Sequence, residues 1–169
     1  GAQGLIVPHI STVTEAKEVA QASHYYPIGD RSSSTGGRTN RLGSGLSPQE
    51  YYHQSNLETL VITMVETPEA VENAGDIASV EGIDGVLVGS SDLTQAMGMP
   101  DGSKVDEAIQ HVIKSVRDKG KIVGVAGAGM TVTNMPRYKQ FAEQGVQLLS
   151  ANVQEFIRQS GGDFLKELS

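Results

Sequence analysis

Residues 64–93 read MVETPEAVENAGDIASVEGIDGVLVGSSDL. Two apolar, β-branched runs in this stretch end on acids, Glu66 and Asp92, and the residues between them have helical character. Thr67 followed by Pro68 has the form of an N-cap with proline at the first helical position, so a helix is predicted directly after Glu66. A run, a capped helix and a second run make one βαβ unit, in which the strands lie parallel and the crossover is right-handed.

The same rhythm extends in both directions. Five short apolar runs recur: GLIVPHI from Gly4, LVITMVE from Leu60, GVLVGSSD from Gly85, KIVGVAG from Lys121 and VQLLSAN from Val146. Each is continuous rather than alternating, the pattern of strands buried on both faces of a parallel sheet. Further helices are predicted from Val13 to Ser23, Pro48 to Gln54, Met135 to Glu143 and Val153 to Leu168, the last interrupted by Gly161 and Gly162. Ser103 with Asp106 predicts a capping box opening the helix VDEAIQHVIKSVRDK, and Gly120 stands where a left-handed C-cap belongs. The fold class is therefore α/β. Asp30 to Ser47, DRSSSTGGRTNRLGSGLS, breaks the rhythm and is predicted to be a long loop, either a mobile solvated connection or a lid whose Arg31, Arg38 and Arg41 meet an anionic ligand.

Composition narrows the function classes. A chain of 169 residues is read as a single domain, 1–169, able to bury about 70% of its unfolded surface. The net charge of -7 argues against nucleic-acid binding, which demands Lys and Arg in excess. No cysteine is present, which excludes disulfides and thiolate metal sites and fits a reducing, cytoplasmic setting. No apolar run approaches the roughly 18 residues of a membrane span, so neither a membrane partner nor export is expected.

Glu66 and Asp92 carry the chemistry. In a parallel sheet with outer helices, ligands collect at the carboxyl ends of the strands, where both acids are predicted to lie. On neighbouring strands, about 4.8 Å apart, their carboxylates can converge, and converging carboxylates repel unless a cation sits between them. A hard divalent ion, Mg²⁺ or Mn²⁺, suits such oxygen ligands and keeps exchangeable positions for a substrate. A short helix from Leu93 to Met97 would aim the amides near Ser91 and Asp92 at a substrate carboxylate. The alternative is structural: Glu66 favours the dipole of the following helix and Asp92 caps a turn.

Other residues are read as structural. His9 ends a strand and could line the site, but with no carboxylate near it in sequence it is read as structural; His24, His53 and His111 fall on predicted helices. Gly124, Gly127 and Gly129 lack the Lys-Ser or Lys-Thr of a phosphate loop and are predicted to serve a tight turn. Ser32, Ser33 and Ser34 have no Ser-His-acid context.

The segments GAQGLIVPHI, YYPIGDR from Tyr25 and VETPEAVENAGDIASVEGIDGVLVGSSDL, with looser matches through KIVGVAG and FAEQGVQLLSANV, resemble the metal-dependent class II pyruvate aldolases of the HpcH/HpaI aldolase and citrate lyase family. The resemblance covers nearly the whole chain. It implies a (β/α)₈ TIM-barrel type fold, of which these residues supply roughly the last five strands, since a typical barrel needs about 250 residues. It further implies a divalent ion held by Glu66 and Asp92, and a 2-oxo acid such as pyruvate whose carboxylate meets the amides of Ser91 and Asp92. The implied activity is that of a carbon–carbon lyase cleaving or forming 4-hydroxy-2-oxo acids through a metal-bound pyruvate enolate, with an aldehyde as second partner and a homo-oligomeric assembly.

The family's catalytic His and Arg belong to strands ahead of the one matching GLIVP, so no catalytic residue of that kind is expected within these 169 residues. Two positions depart from the family pattern. Met64 stands where a substrate-contacting Gln is usual, and Ser90 replaces the proline of the Gly-Pro-x-Asp turn, which is expected to loosen it. The competing expectations are a noncatalytic barrel relative serving as a structural or regulatory subunit, and a lyase for acyl-CoA thioesters using Arg31, Arg38 and Arg41.

Overall fold

The computed structural model describes residues 1–127 and 135–168. Five strands form one parallel sheet in chain order: β1 (Gly4–Val7), β2 (Leu60–Val65), β3 (Gly85–Gly89), β4 (Ile122–Ala126) and β5 (Leu148–Leu149). Every strand falls within one of the five apolar runs. Register is in step along the sheet, with Val65 opposite Val88 and Gly89 opposite Ala126, so the carboxyl ends of β2, β3 and β4 come out together.

Among the described residues seven α-helices accompany the strands: α1 (Val13–Ser23), α2 (Pro48–Glu58), α3 (Pro68–Ala78), α4 (Ser90–Ala96), α5 (Gly102–Arg117), α6 (Met135–Glu143) and α7 (Val153–Glu167). Side chains alternate across a strand, and one face of the sheet, Val61, Val65, Val86, Val88, Val123 and Val125, packs into a core with α3 and α5. The helices answer with apolar stripes at helical spacing: Ala70, Val71, Ala74 and Ile77 on α3, and Val105, Ile109, Val112, Ile113 and Val116 on α5. All five residues of β3 are buried, as the unbroken apolar run predicts for a central parallel strand.

Several helix ends differ from expectation. Asp101, not Ser103, caps α5: its carboxylate accepts from the Ser103 N–H at 3.0 Å. The Pro-Asp-Gly turn at 100–102 therefore sets the start of the helix, and Ser103 lies inside it. Replacing Asp101 with alanine is expected to cost about 0.5–2 kcal/mol in urea denaturation, whereas Ser103→Ala stays within about 0.5 kcal/mol. Helix α2 runs on to Glu58, four residues past the expected Gln54. Helix α7 continues through Gly161 and Gly162, because a glycine weakens a helix by only about 1 kcal/mol and does not stop one. Helix α4 begins at Ser90 rather than Leu93.

The N-terminus of α1 is a full capping box. Thr12 Oγ1 accepts from the Glu15 N–H, and the Glu15 carboxylate accepts from the Ser11 and Thr12 amides at 2.8 and 2.9 Å. These bonds, that of Ser11 foremost, hold the Glu15 carboxyl below the usual carboxylate range. A depressed folded pKa means that the contribution is complete above the unfolded value, about 4.3, and is lost as pH falls through the folded value. Acidification through that window is expected to shift the Ser11 and Thr12 amide resonances together, and Glu15→Gln to abolish the transition.

The 30–47 segment is a loop with one 3₁₀-type stretch, Arg38–Gly43. It is pinned rather than solvated throughout, because the buried Asn40 donates to Thr35 and Leu46 carbonyls at 3.1 Å and accepts from the Leu46 N–H at 2.8 Å. Among the described residues no helix is long and apolar enough to cross a membrane.

Candidate functional site

Glu66 leaves β2 directly and Asp92 lies in the first turn of α4 after β3, so the two predicted acids stand at the carboxyl ends of adjacent strands. Their environments differ. Glu66 is only 4% exposed, while Asp92 is open to solvent. Glu66 Oε2 accepts from the His9 N–H at 2.9 Å, and the His9 ring Nδ1 lies 3.4 Å from the same oxygen. On its other side the carboxylate rests against Gly89: a Cβ placed there would come within 2.6 Å of Oε1. Gly85, on the same side of β3 as Gly89, faces Ile62, so the carboxylate lies on the face of the sheet away from α3 and α5.

His9 has in the fold the carboxylate partner that its sequence neighbours lack. A carboxylate does sit beside it, from 57 residues away in the chain, and its ring is 76% exposed at the mouth of the site. Its backbone adopts the left-handed region, φ 59°, an uncommon conformation for a residue with a Cβ.

The turn after β3 is tightly built. Ser90, 1% exposed, donates from Oγ to the Ala126 carbonyl at 2.8 Å, and Thr94 donates to the Ser90 carbonyl at 2.6 Å. The expectation that serine loosens this turn is corrected: the hydroxyl ties it across to β4. Gly127 has a positive φ of 87°, and a Cβ there would lie 2.8 Å from Ser91 Oγ; the rest of the tight turn predicted there lies outside the described residues. Gly124 instead leaves room for Leu87, whose Cδ1 would be 2.6 Å from an added Cβ; Gly129 lies outside the described residues.

Arg31 and Arg41 of the long loop do not join this site. Arg31 stacks over Tyr25, 4.9 Å from its ring centre. Arg31 and Arg41 line a cavity with Gln3 and Thr59, the residues just ahead of β1 and β2, and so face the amino ends of the strands. His24 is buried just past α1 with Nδ1 3.0 Å from the Ala20 carbonyl; His53 and His111 are exposed on α2 and α5. Ser33 hydrogen-bonds to the Tyr52 hydroxyl, outside the site.

The donor set is oxygen only, with one buried carboxylate already oriented by a main-chain amide, and it suits a hard divalent cation better than a soft one. Among the described residues no group of three or more His, Cys, Asp or Glu is placed to hold a metal ion by itself.

A parallel sheet built from repeating βα units, with acids at adjacent strand exits, is the architecture of enzymes of the (β/α) barrel type. The chain belongs to the HpcH/HpaI aldolase/citrate lyase family, whose sequence profile matches residues 1–156. The 4-hydroxy-2-oxo-heptane-1,7-dioate aldolase of Salmonella paratyphi C (strain RKS4594) is 32% identical over 168 residues, 98% of this chain and 61% of the relative. The chain thus spans about three-fifths of the length of the curated relatives it matches. Among solved structures, citrate synthase SbnG is 27% identical with a TM-score of 0.76, over 99% of this chain and 63% of the other. A family protein from Burkholderia cenocepacia J2315 shares the fold at 22% identity and a TM-score of 0.85, over 99% of this chain and 65% of the other.

Proposed function

We propose that this chain carries the metal- and oxoacid-binding half of a divalent-metal-dependent carbon–carbon lyase, an aldolase acting on 4-hydroxy-2-oxo acids. The observation that carries the reading is a buried Glu66 carboxylate held at the exit of β2, with Asp92 in the first turn after the adjacent strand β3, on a scaffold whose curated relatives are named as aldolases. Glu66 and Asp92 would hold Mg²⁺ or Mn²⁺, and the main-chain amides of Ser91 and Asp92, in the first turn of α4, would receive the carboxylate of pyruvate or of a larger 2-oxo acid. A divalent cation bound there supplies Lewis acidity to the keto oxygen, where negative charge develops as the neighbouring carbon–carbon bond breaks or forms. The residues of this chain would orient the oxoacid: Gly127, lacking a Cβ, leaves room for the turn at Ser91, and Ser90 anchors that turn to β4.

Met64 lies two residues before Glu66 and opposite Leu87 in the sheet, so the floor beneath the carboxylate is apolar on this side. The second partner released or consumed is an aldehyde. An acyl-CoA lyase reading has less support, because Arg31 and Arg41 lie toward the opposite end of the strands. Self-association belongs to the same reading and is supported by exposed apolar residues along α7, Val153, Ile157, Phe164 and Leu165.

Titration calorimetry with oxalate, a planar mimic of the pyruvate enolate, tests the proposal. Oxalate is expected to bind in the presence of Mn²⁺ and to give no heat without it; equal heats with and without the metal would reject the assignment.

A further inference from the structure

A buried carboxylate needs hydrogen-bond donors, and a glutamate side chain needs something to select one rotamer. Among the described residues, His9 is the hydrogen-bond and ion-pair partner of the Glu66 carboxylate, and the donated bond comes from its main chain. His9 is itself held left-handed, a conformation that costs about 1–3 kcal/mol and persists where neighbouring contacts impose it. The contacts that impose it lie in the next βα unit. The Ile10 N–H donates to the Met64 carbonyl at 3.2 Å. Ser11 Oγ and Thr67 Oγ1 are 2.9 Å apart, and Asn73 Nδ2 donates to the Ser11 carbonyl at 2.8 Å across 62 residues of sequence.

These bonds close a ring. Glu66 leads into Thr67 and α3; Asn73, in the second turn of that helix, returns to Ser11; Ser11 leads back through Ile10 to His9, whose amide meets Glu66. The capping box of α1 holds the Ser11 and Thr12 amides from the other side. We propose that Asn73 is a positioning residue, which latches the β1–α1 loop onto α3 and thereby sets the pose of the Glu66 carboxylate through the His9 main-chain amide. Asn73 suits the role because its amide donates to a carbonyl; an ionised aspartate of the same shape cannot. It touches neither the carboxylate nor the proposed ligand, so its effect runs wholly through the loop.

The inference rests on the proposed function only where metal affinity is the readout. In ¹⁵N-labelled full chain without metal, Asn73→Ala and Asn73→Asp are each expected to move the His9 amide proton upfield and to lower its exchange protection about tenfold. The β-sheet amides, which do not depend on the latch, are expected to stay protected. Mn²⁺ affinity, read by electron paramagnetic resonance, is expected to fall about tenfold in both variants, within the 10–100-fold range typical of groups that orient a metal ligand. Unchanged position and protection of the His9 amide in either folded variant would overturn the proposal. If the unaltered chain binds no Mn²⁺, the metal-site reading fails by itself, and the His9 amide still decides the latch.

Discussion

Glu66→Ala is expected to weaken Mn²⁺ binding by at least about 100-fold, beyond the range seen when only an orienting neighbour is lost, and with it to abolish metal-dependent oxalate binding. Of the two acids, Glu66 is the one whose pose is preset: it is buried, its Oε2 accepts from the His9 amide, and Gly89 leaves room for Oε1. A ligand already desolvated and oriented loses little on binding, so its removal forfeits most of the site's affinity. Glu66→Gln separates charge from shape, since the amide keeps an oxygen to accept from His9 but carries no charge. The glutamine variant is expected to melt like the unaltered protein and still to bind Mn²⁺ at least about tenfold more weakly. Asp92→Ala, on an exposed turn, is expected to remove oxalate binding while perturbing stability by less than about 0.5 kcal/mol. Calorimetry showing unaltered oxalate affinity in Glu66→Ala or Asp92→Ala would sink the two-acid site.

Gly89→Ala is expected to damage the same site from below. Its added Cβ would lie 2.6 Å from Glu66 Oε1 and 2.7 Å from Cγ, closer than side chains approach one another. Gly89 has an ordinary φ of -87°, so alanine itself is not strained there and the whole effect comes from the space taken. The carboxylate must swing away, which breaks its bond to the His9 amide, or β3 must shift against β2. Either route is expected to cost about 1–3 kcal/mol of stability, as overpacking does, together with a 10–100-fold loss of Mn²⁺ affinity. Gly102, with nothing within 4 Å of an added Cβ, supplies the control, and Gly102→Ala is expected to leave Mn²⁺ affinity unchanged. Retained affinity in a folded Gly89→Ala protein would show that the pose of Glu66 does not govern metal binding.

Both predictions turn on features of different legibility. The five strands could be read directly, because each apolar run is local in sequence; burial on both faces, expected of every run, holds for the central β3, whereas the edge strands β1 and β5 are largely exposed. Thr67-Pro68 announced α3 for an equally local reason: an N-cap acts within one turn, and Thr67 indeed accepts from the Ala70 N–H. Once the strand exits were located, Glu66 and Asp92 stood out as the acids at the ends where ligands collect. Even some local signals were ambiguous, since Asp101 and Ser103 both have capping chemistry and only the path of the turn selects between them.

What tertiary structure alone decided is the company these residues keep. His9 meets Glu66 across 57 residues, Asn73 meets Ser11 across 62, and Ser90 reaches Ala126 across 36. Sequence spacing carries no trace of such pairs, because they depend on strand register, on helix α3 lying beside the β1–α1 loop, and on the direction each side chain takes when packed. The long loop teaches the same lesson in reverse: its arginines read as candidates for the site, yet Arg31 and Arg41 fold toward the amino ends of the strands. Local periodicity and capping thus dictate which elements form and where the acids fall along them. The angle at which elements pack determines which oxygen meets which amide, and that angle is set by the whole core at once.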